Sequence, residues 1–407
     1  MSDSRLRVVV TGVGIISALG ANAAACWQAL CDGRSGIGPI EGADVGDLRS
    51  RNGAEVRGFD PTAHFKGSQL DLLDRFSQFG LIAAREAMAD AGLKIAPESR
   101  GRAAVVLGTG MGGQNSQDVG FQVVYKEGRP RPHPFTIPRS MTSAAASQIS
   151  MDMGITGPAL SVSTACASST QAIGQAFWMV RSGLVDVALA GGTEAPFSPG
   201  CLRAWDAMRV VAPDTCRPFT RDRRGMILGE GAAVIVLESL RSAQERGARV
   251  YAEVIGYGMS SDAGHITQPT VDGPAAAMQA ALIDAQLSPE EIGYINAHGT
   301  GTMANDATET KAIRRVFGEH AQKLAVSSTK SMHGHALGAS GALEAFATVK
   351  ALQEQIVPPT ANFTEADPEC DLDYVPNQSR RASVRCALSN SFAFGGINAS
   401  LAFSVHE

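Results

Sequence analysis

Three pairs of segments in this 407-residue chain repeat one succession of elements with one placement of small residues, and that repetition constrains the fold more than any single motif does. A helix-like stretch A-R-E-A-M-A-D-A-G-L (84–93) leads into A-A-V-V-L-G-T-G-M-G-G, and M-Q-A-A-L-I-D-A-Q-L (278–287) leads into I-G-Y-I-N-A-H-G-T-G-T. L-S-V-S-T-A-C-A-S-S and L-A-V-S-S-T-K-S-M-H-G-H each read as strand, crowded turn and helix, with the helices near 169–182 and 338–353. G-E-G-A-A-V-I-V-L-E and G-G-I-N-A-S-L-A-F each take glycines into an apolar strand. Two similar α/β halves follow, joined near residues 241–250. Strands alternating with amphipathic helices imply parallel pairing, with helices covering the sheets. Residues 110–145, which contain R-P-R-P-H-P and few periodic apolar positions, are expected to lie as loops and short helices over the first half.

A chain that is 44% hydrophobic and 18% charged, with 44 glycines, is too apolar for disorder and rich in close backbone approaches. Its 35 basic and 40 acidic residues give −5, so no global basic field favours a polynucleotide or an anionic membrane. Seven cysteines without a C-x-x-C argue against a disulfide framework or a zinc ribbon and point to a reducing, cytoplasmic setting. Val8 to Cys31 carries no charge and follows Arg5 and Arg7, which superficially suggests an export signal. Val8-Val9-Val10 running into Thr11-Gly12-Val13-Gly14 reads instead as a buried strand entering a glycine turn. No membrane span is expected.

Cys166 stands in S-T-A-C-A-S-S, just after a strand and just before a helix, where the helix N-terminus lowers a thiol's pKa and offers N–H groups to an oxyanion. A buried structural cysteine is the plainer alternative. His298 in N-A-H-G-T-G-T sits at a strand exit, and His333 and His335 lie in the second half's counterpart of the cysteine turn. A pseudo-twofold would bring them near Cys166. A zinc or iron site on His333 and His335 is the competing reading, opposed by the lack of a spaced acidic ligand and by the adjacent Lys330. Histidines satisfied in the core are a third. The glycine clusters at 108–113 and 299–301 lack a Walker lysine and a clear dinucleotide-binding context.

Taken with V-V-V-T-G-V-G, A-G-G-T-E (190–194), R-P-F-T-R-D-R-R-G-M-I-L-G-E-G-A and S-N-S-F-A-F-G-G-I-N-A-S, these motifs resemble the β-ketoacyl-acyl carrier protein synthase II family of the thiolase superfamily over nearly the whole chain. The resemblance implies a thiolase-like five-layer αβαβα fold. Its first half would span 1–245, with a cap insertion near 110–145, and its second 246–407. It implies decarboxylative Claisen condensation by a Cys-His-His set, with no cofactor and no metal; phosphopantetheine arrives on the acyl carrier protein. Cys166 would take the acyl chain, with the N–H groups of Cys166 and Phe394 holding its oxyanion. His298 and His335 would bind the malonyl thioester carbonyl. Lys330 and Glu344 would support them, and Thr300 and Thr302 would touch phosphopantetheine. Met111, Thr136, Cys201, Trp205 and Phe394 would line the acyl pocket, part of it contributed across a homodimer interface.

Within the family, A-P-D-T-C-R-P-F, H-G-T-G-T-x-A-N-D, the histidine before Gly334-His335 and alanine in the F-A-x-G-G loop are similar to nodulation-type and aryl-polyene ketosynthases. His333 replaces a common threonine and is read as filling space in preference to adding a titrating group. Ala393 replaces a glycine, which would stiffen a loop that needs positive φ. A basic rim for an acidic carrier protein is expected among Lys66, Lys126, Arg129, Arg131, Arg203 and Arg209. The alternatives left by the sequence are a ketosynthase-like subunit of a heterodimer and a condensing enzyme acting on coenzyme A thioesters.

Overall fold

The computed structural model describes residues 6–406; Arg5 lies outside the described residues. To the ten-stranded sheet the first half supplies five strands: β1 (Val8–Ser17), β2 (Ala103–Gly108), β3 (Ala159–Val162), β4 (Val187–Glu194) and β5 (Gly231–Ser239). The second supplies β6 (Ala252–Ser261), β7 (Ile292–Asn296), β8 (Ala325–Ser327), β9 (Cys386–Ala393) and β10 (Ile397–Ser404). They run in the order β8-β7-β9-β10-β6-β1-β5-β4-β2-β3. Counted within its own half, each set follows the sequence third, second, fourth, fifth, first, so the duplication legible in the motifs is a duplication of topology. The two sets meet where Val8–Val10 of β1 pairs antiparallel with Ala252–Val254 of β6.

Parallel pairing holds for only the third, second and fourth strand of each half. The fifth is antiparallel to both its neighbours. The reason is local in the second half: β9 and β10 are joined by the tight turn Phe394-Gly395-Gly396, and a hairpin returns the chain antiparallel. Gly395 and Gly396 take φ of 87° and 68° there, which glycine allows freely.

Five layers result. Helices α1 (Arg75–Asp90) and α2 (Ala144–Met153) cover the outer face of the first sheet. Helices α3 (Ser168–Arg181) and α6 (Ser340–Glu354) lie side by side between the sheets, and α4 (Asp272–Ala285), backed by α5 (Met303–Phe317), covers the second sheet's outer face. The outer contacts repeat an atomic device. In β1, a Cβ on Gly12 or Gly14 would lie 2.3 Å from Ala87 O or 2.1 Å from Ala83 O of α1. In β6, a Cβ on Gly256 or Gly258 would lie 2.4 Å from Ala281 O or 2.2 Å from Ala277 O of α4. Two glycines at i and i+2 thus let a helix with alanines four apart sit directly on the strand, in both halves.

The apolar start of the chain is a strand, as its sequence suggests: every residue of β1 is buried. Residues 110–145 form the short helices Gln114–Phe121 and Thr136–Ser140 with connecting turns, and expose Val119, Phe121, Tyr125, Ile137 and Met141. Edge strand β3 continues that apolar face with Leu160. No helix among the described residues is long and apolar enough to cross a membrane.

Candidate active site

Cys166 is positioned by a turn that the small residues around it make possible. Ala165 takes φ 51°, and Ser168 Oγ both donates to Ala165 O at 2.6 Å and accepts from Thr164 N at 2.9 Å. The thiol emerges just ahead of the central helix α3, 7% exposed. His335 Nε2 lies 3.1 Å from its sulfur. On the other side of that ring, Nδ1 accepts the Leu337 N–H at 3.2 Å and meets Ser340 Oγ at 2.8 Å. An accepting Nδ1 leaves the proton of a neutral ring on Nε2, aimed at the sulfur. The Phe394 backbone N–H, on the hairpin between β9 and β10, also bonds Cys166. Two donors from the second half of the chain therefore converge on a sulfur carried by the first.

His298 follows β7. Its backbone N–H and that of Gly299 are both held by the buried Glu309 carboxylate, each at 2.8 Å. Its ring stands edge-on to His335, centroids 5.5 Å apart, and against Phe392. The ligand-type atoms of Cys166, His298 and His335 lie within 4.8 Å of one another. A cation there would face the buried Lys330 ammonium, which pairs with Glu344. Both histidines titrate well below their ordinary range, because burial and then that ammonium oppose a second positive charge. They are neutral N–H donors at neutral pH.

Burial pushes the Cys166 thiol up to about 11, against the depression expected from a helix N-terminus. Lys330 and the Phe394 N–H pull the other way without overcoming desolvation. Glu194, Glu309 and Glu344 are each raised to about 7, again chiefly by burial. Glu194 accepts from Gly110 N, Thr109 Oγ1, Met111 N and Gly338 N at 2.6–3.1 Å, tying the loop after β2 to the loop that follows His335. Neither Glu194 nor Glu309 is singled out by sequence reasoning. The A-G-G-T-E motif contains the first, but the fold alone shows what it holds.

A cavity of about 640 Å³, including its open mouth, joins Cys166, His298, His335, Thr300, Thr302, Trp205 and Phe394. Thr300 and Thr302 hydroxyls bond each other at 2.9 Å, and Trp205 stacks on Phe394 at 6.2 Å. Three expected pocket residues stand elsewhere. Met111 and Cys201 pack together, Sδ to Sγ 3.5 Å, and Met111 lies against the apolar cluster that holds Leu337. Thr136 lines a separate pocket under the cap with Arg75, Arg129, Arg131 and Arg139. Among the described residues no lysine or arginine lines the Cys166 cavity; of those expected at a basic rim, Arg129 and Arg131 line the second pocket. Ala393 ends strand β9 at an ordinary negative φ, so its Cβ strains nothing in this conformation.

The sequence matches the description Beta-ketoacyl synthase, N-terminal domain, over residues 5–243 and Beta-ketoacyl synthase, C-terminal domain, over 251–364. The chain belongs to the β-ketoacyl synthase family. It is 49% identical to Nodulation protein E of Rhizobium sp. (strain N33), with 98% of each chain covered. It is 44% identical, at the same coverage, to 3-oxoacyl-[acyl-carrier-protein] synthase 2 of Synechocystis sp. (strain ATCC 27184 / PCC 6803 / Kazusa). The solved structure titled "The ishigamide ketosynthase/chain length factor" superposes with a TM-score of 0.95 at 39% identity, covering 99% of this chain and 100% of that one. The thiolase-like fold, the synthase II kinship and ketosynthase chemistry are thereby established for this chain.

Proposed function

We propose that Cys166, His298 and His335 carry the condensation, with an acyl carrier protein delivering both thioesters. The observation that carries this reading is the convergence of His335 Nε2 and the Phe394 N–H on the Cys166 sulfur. The sulfur attacks the acyl thioester, the carbonyl oxygen draws on the N–H groups of Cys166 and Phe394, and the pantetheine thiol leaves with the proton. Malonyl thioester then places its carbonyl oxygen between the neutral N–H groups of His298 and His335. Carbon dioxide leaves, the enolate forms, and its carbon attacks the acyl-Cys166 carbonyl. The C–S bond breaks, and the Cys166 thiolate that leaves takes a proton from water to restore the thiol. Lys330 and Glu344 hold the electrostatic setting, and Thr300 and Thr302 take the phosphopantetheine arm.

The exposed apolar cap and the open edge of β3 support pairing with a second copy of the chain. Thr136 lies at that cap, where it would serve the partner's cavity instead of its own. Likeness to Nodulation protein E is the ground for proposing a specialised acyl chain over housekeeping elongation; the proposed setting is the cytoplasm, and the proposed chemistry uses no cofactor of the enzyme's own. Intact-protein mass after mixing with acyl carrier protein thioesters of graded length and unsaturation tests the reading. An acyl adduct absent from Cys166→Ala supports it, and an adduct that persists in that variant refutes it.

A further inference from the structure

We infer that His333, which neither touches Cys166 nor lines the cavity, is a positioning residue that sets the reach of His335 to the sulfur by holding the Gly334–His335 peptide. The inference rests on the role of His335 proposed above. His333 is 2% exposed, and both its ring nitrogens are engaged: Nδ1 with Gly334 O at 2.8 Å and Nε2 with Thr329 Oγ1 at 3.0 Å. A carbonyl only accepts, so Nδ1 carries the proton and Nε2 accepts the Thr329 hydroxyl. One neutral tautomer satisfies both partners. Burial, then Lys330, lowers the ring's pKa to about 3, so that tautomer persists throughout the working range.

The peptide that this ring grips is the one that carries His335. Its N–H donates to Ile227 O at 2.6 Å, and the His335 carbonyl accepts from Gly229 N at 2.9 Å. Gly334 takes φ 67°, ψ −174°, a conformation that suits glycine alone, and a Cβ there would lie 2.8 Å from Ala54 Cβ. Glycine thus supplies a necessary bend with little torsional preference of its own, and the imidazole fixes the carbonyl that the bend leaves to be oriented. Threonine, which the family resemblance places at this position, is too short to bridge both Gly334 O and Thr329. The first histidine in K-S-M-H-G-H therefore does more than fill space: it grips the backbone peptide that carries His335.

The test uses side chains that keep one contact each. The amide nitrogen of Asn overlies Nδ1 of His, whereas that of Gln overlies Nε2. In the full-length enzyme, with acyl and malonyl carrier protein thioesters, His333→Leu is expected to lower kcat about tenfold with KM unchanged, since a displacement of about 1 Å costs on the order of 10²-fold and two backbone anchors remain. His333→Asn restores kcat, and His333→Gln does not. Equal kcat in the Asn and Gln variants overturns the inference, whether or not the Leu variant folds, as does a wild-type kcat for His333→Leu. His335→Ala separates the two levels. If that variant turns over normally, the proposed role of His335 fails; if it is inactive while the His333 series is flat, only the positioning role fails.

Discussion

Replacing Lys330 with Met exposes how the site manages charge. The ammonium and the Glu344 carboxylate are both fully buried and paired, and Glu344 Oε2 has no other partner among the described residues. Met keeps the length of the side chain and removes the charge. A buried carboxylate left ionised would cost about 3–5 kcal/mol. It can escape by taking a proton, because burial already holds this carboxyl up at about 7 and loss of Lys330 raises it further. A carboxyl whose folded pKa lies above its unfolded value binds more protons folded than unfolded, so stability falls as pH rises through that window. The Lys330→Met variant is therefore expected to lose little stability near pH 6 and progressively more above pH 7, by up to about 1.4 kcal/mol per pH unit until the loss saturates. Urea unfolding at several pH values measures it. Adding Glu344→Gln should abolish the pH dependence. Acylation of Cys166 behaves differently, since Lys330 is one of the groups that lower the thiol's pKa. The thiol should rise further in Lys330→Met, and acylation should slow in both the single and the double variant. A pH-independent stability loss, or a double variant that regains normal acylation, would refute this account.

Gly14→Ala and Gly258→Ala place a Cβ against backbone at 2.1 and 2.2 Å in matching positions of the two halves, so each should cost about 1–3 kcal/mol by chemical denaturation; a neutral result at either would show that helix and strand separate easily there. The His333 ring stays neutral in the folded state down to about 3 but charges in the unfolded chain below about 6.5, so it makes the enzyme less stable as pH falls through that interval. His333→Asn should accordingly lose about 2 kcal/mol less than the parent between pH 7 and pH 5, and parallel stability curves would contradict the buried neutral ring. Glu309→Gln sets an amide donor against one of the N–H groups of His298 and Gly299, and a drop in condensation with little change in Cys166 acylation is expected. Equal loss in both half-reactions would show that Glu309 serves the fold and not the histidine.

Much of the fold was written in local pattern. Strand, crowded turn and helix around Cys166 and around His335 are visible because each needs its own small residues: a thiol presented on a turn, and a helix that starts immediately behind it. The same holds for the glycine loop carrying Phe394. The mixed direction of the strands was not visible, because whether the fifth strand runs parallel or antiparallel depends on the route its connection takes. The paired glycines of β1 and β6 were legible as residues but not as a device, since their purpose appears only when alanines of another element lie against them.

The sequence by itself determined the duplicated α/β architecture, the cysteine turn and the two histidine loops, since these depend on residues close together in the chain. Tertiary structure alone decided the electrostatics. Cys166 titrates near 11, the histidines stay neutral and three glutamates sit near 7 because groups from both halves of the chain are removed from water together. It also decided that His333 faces a backbone carbonyl, that Glu309 holds the His298 loop, and that Thr136 lies outside its own chain's cavity. Desolvation and long-range packing have no local signature, so a sequence can name the groups that react without stating the charge they carry.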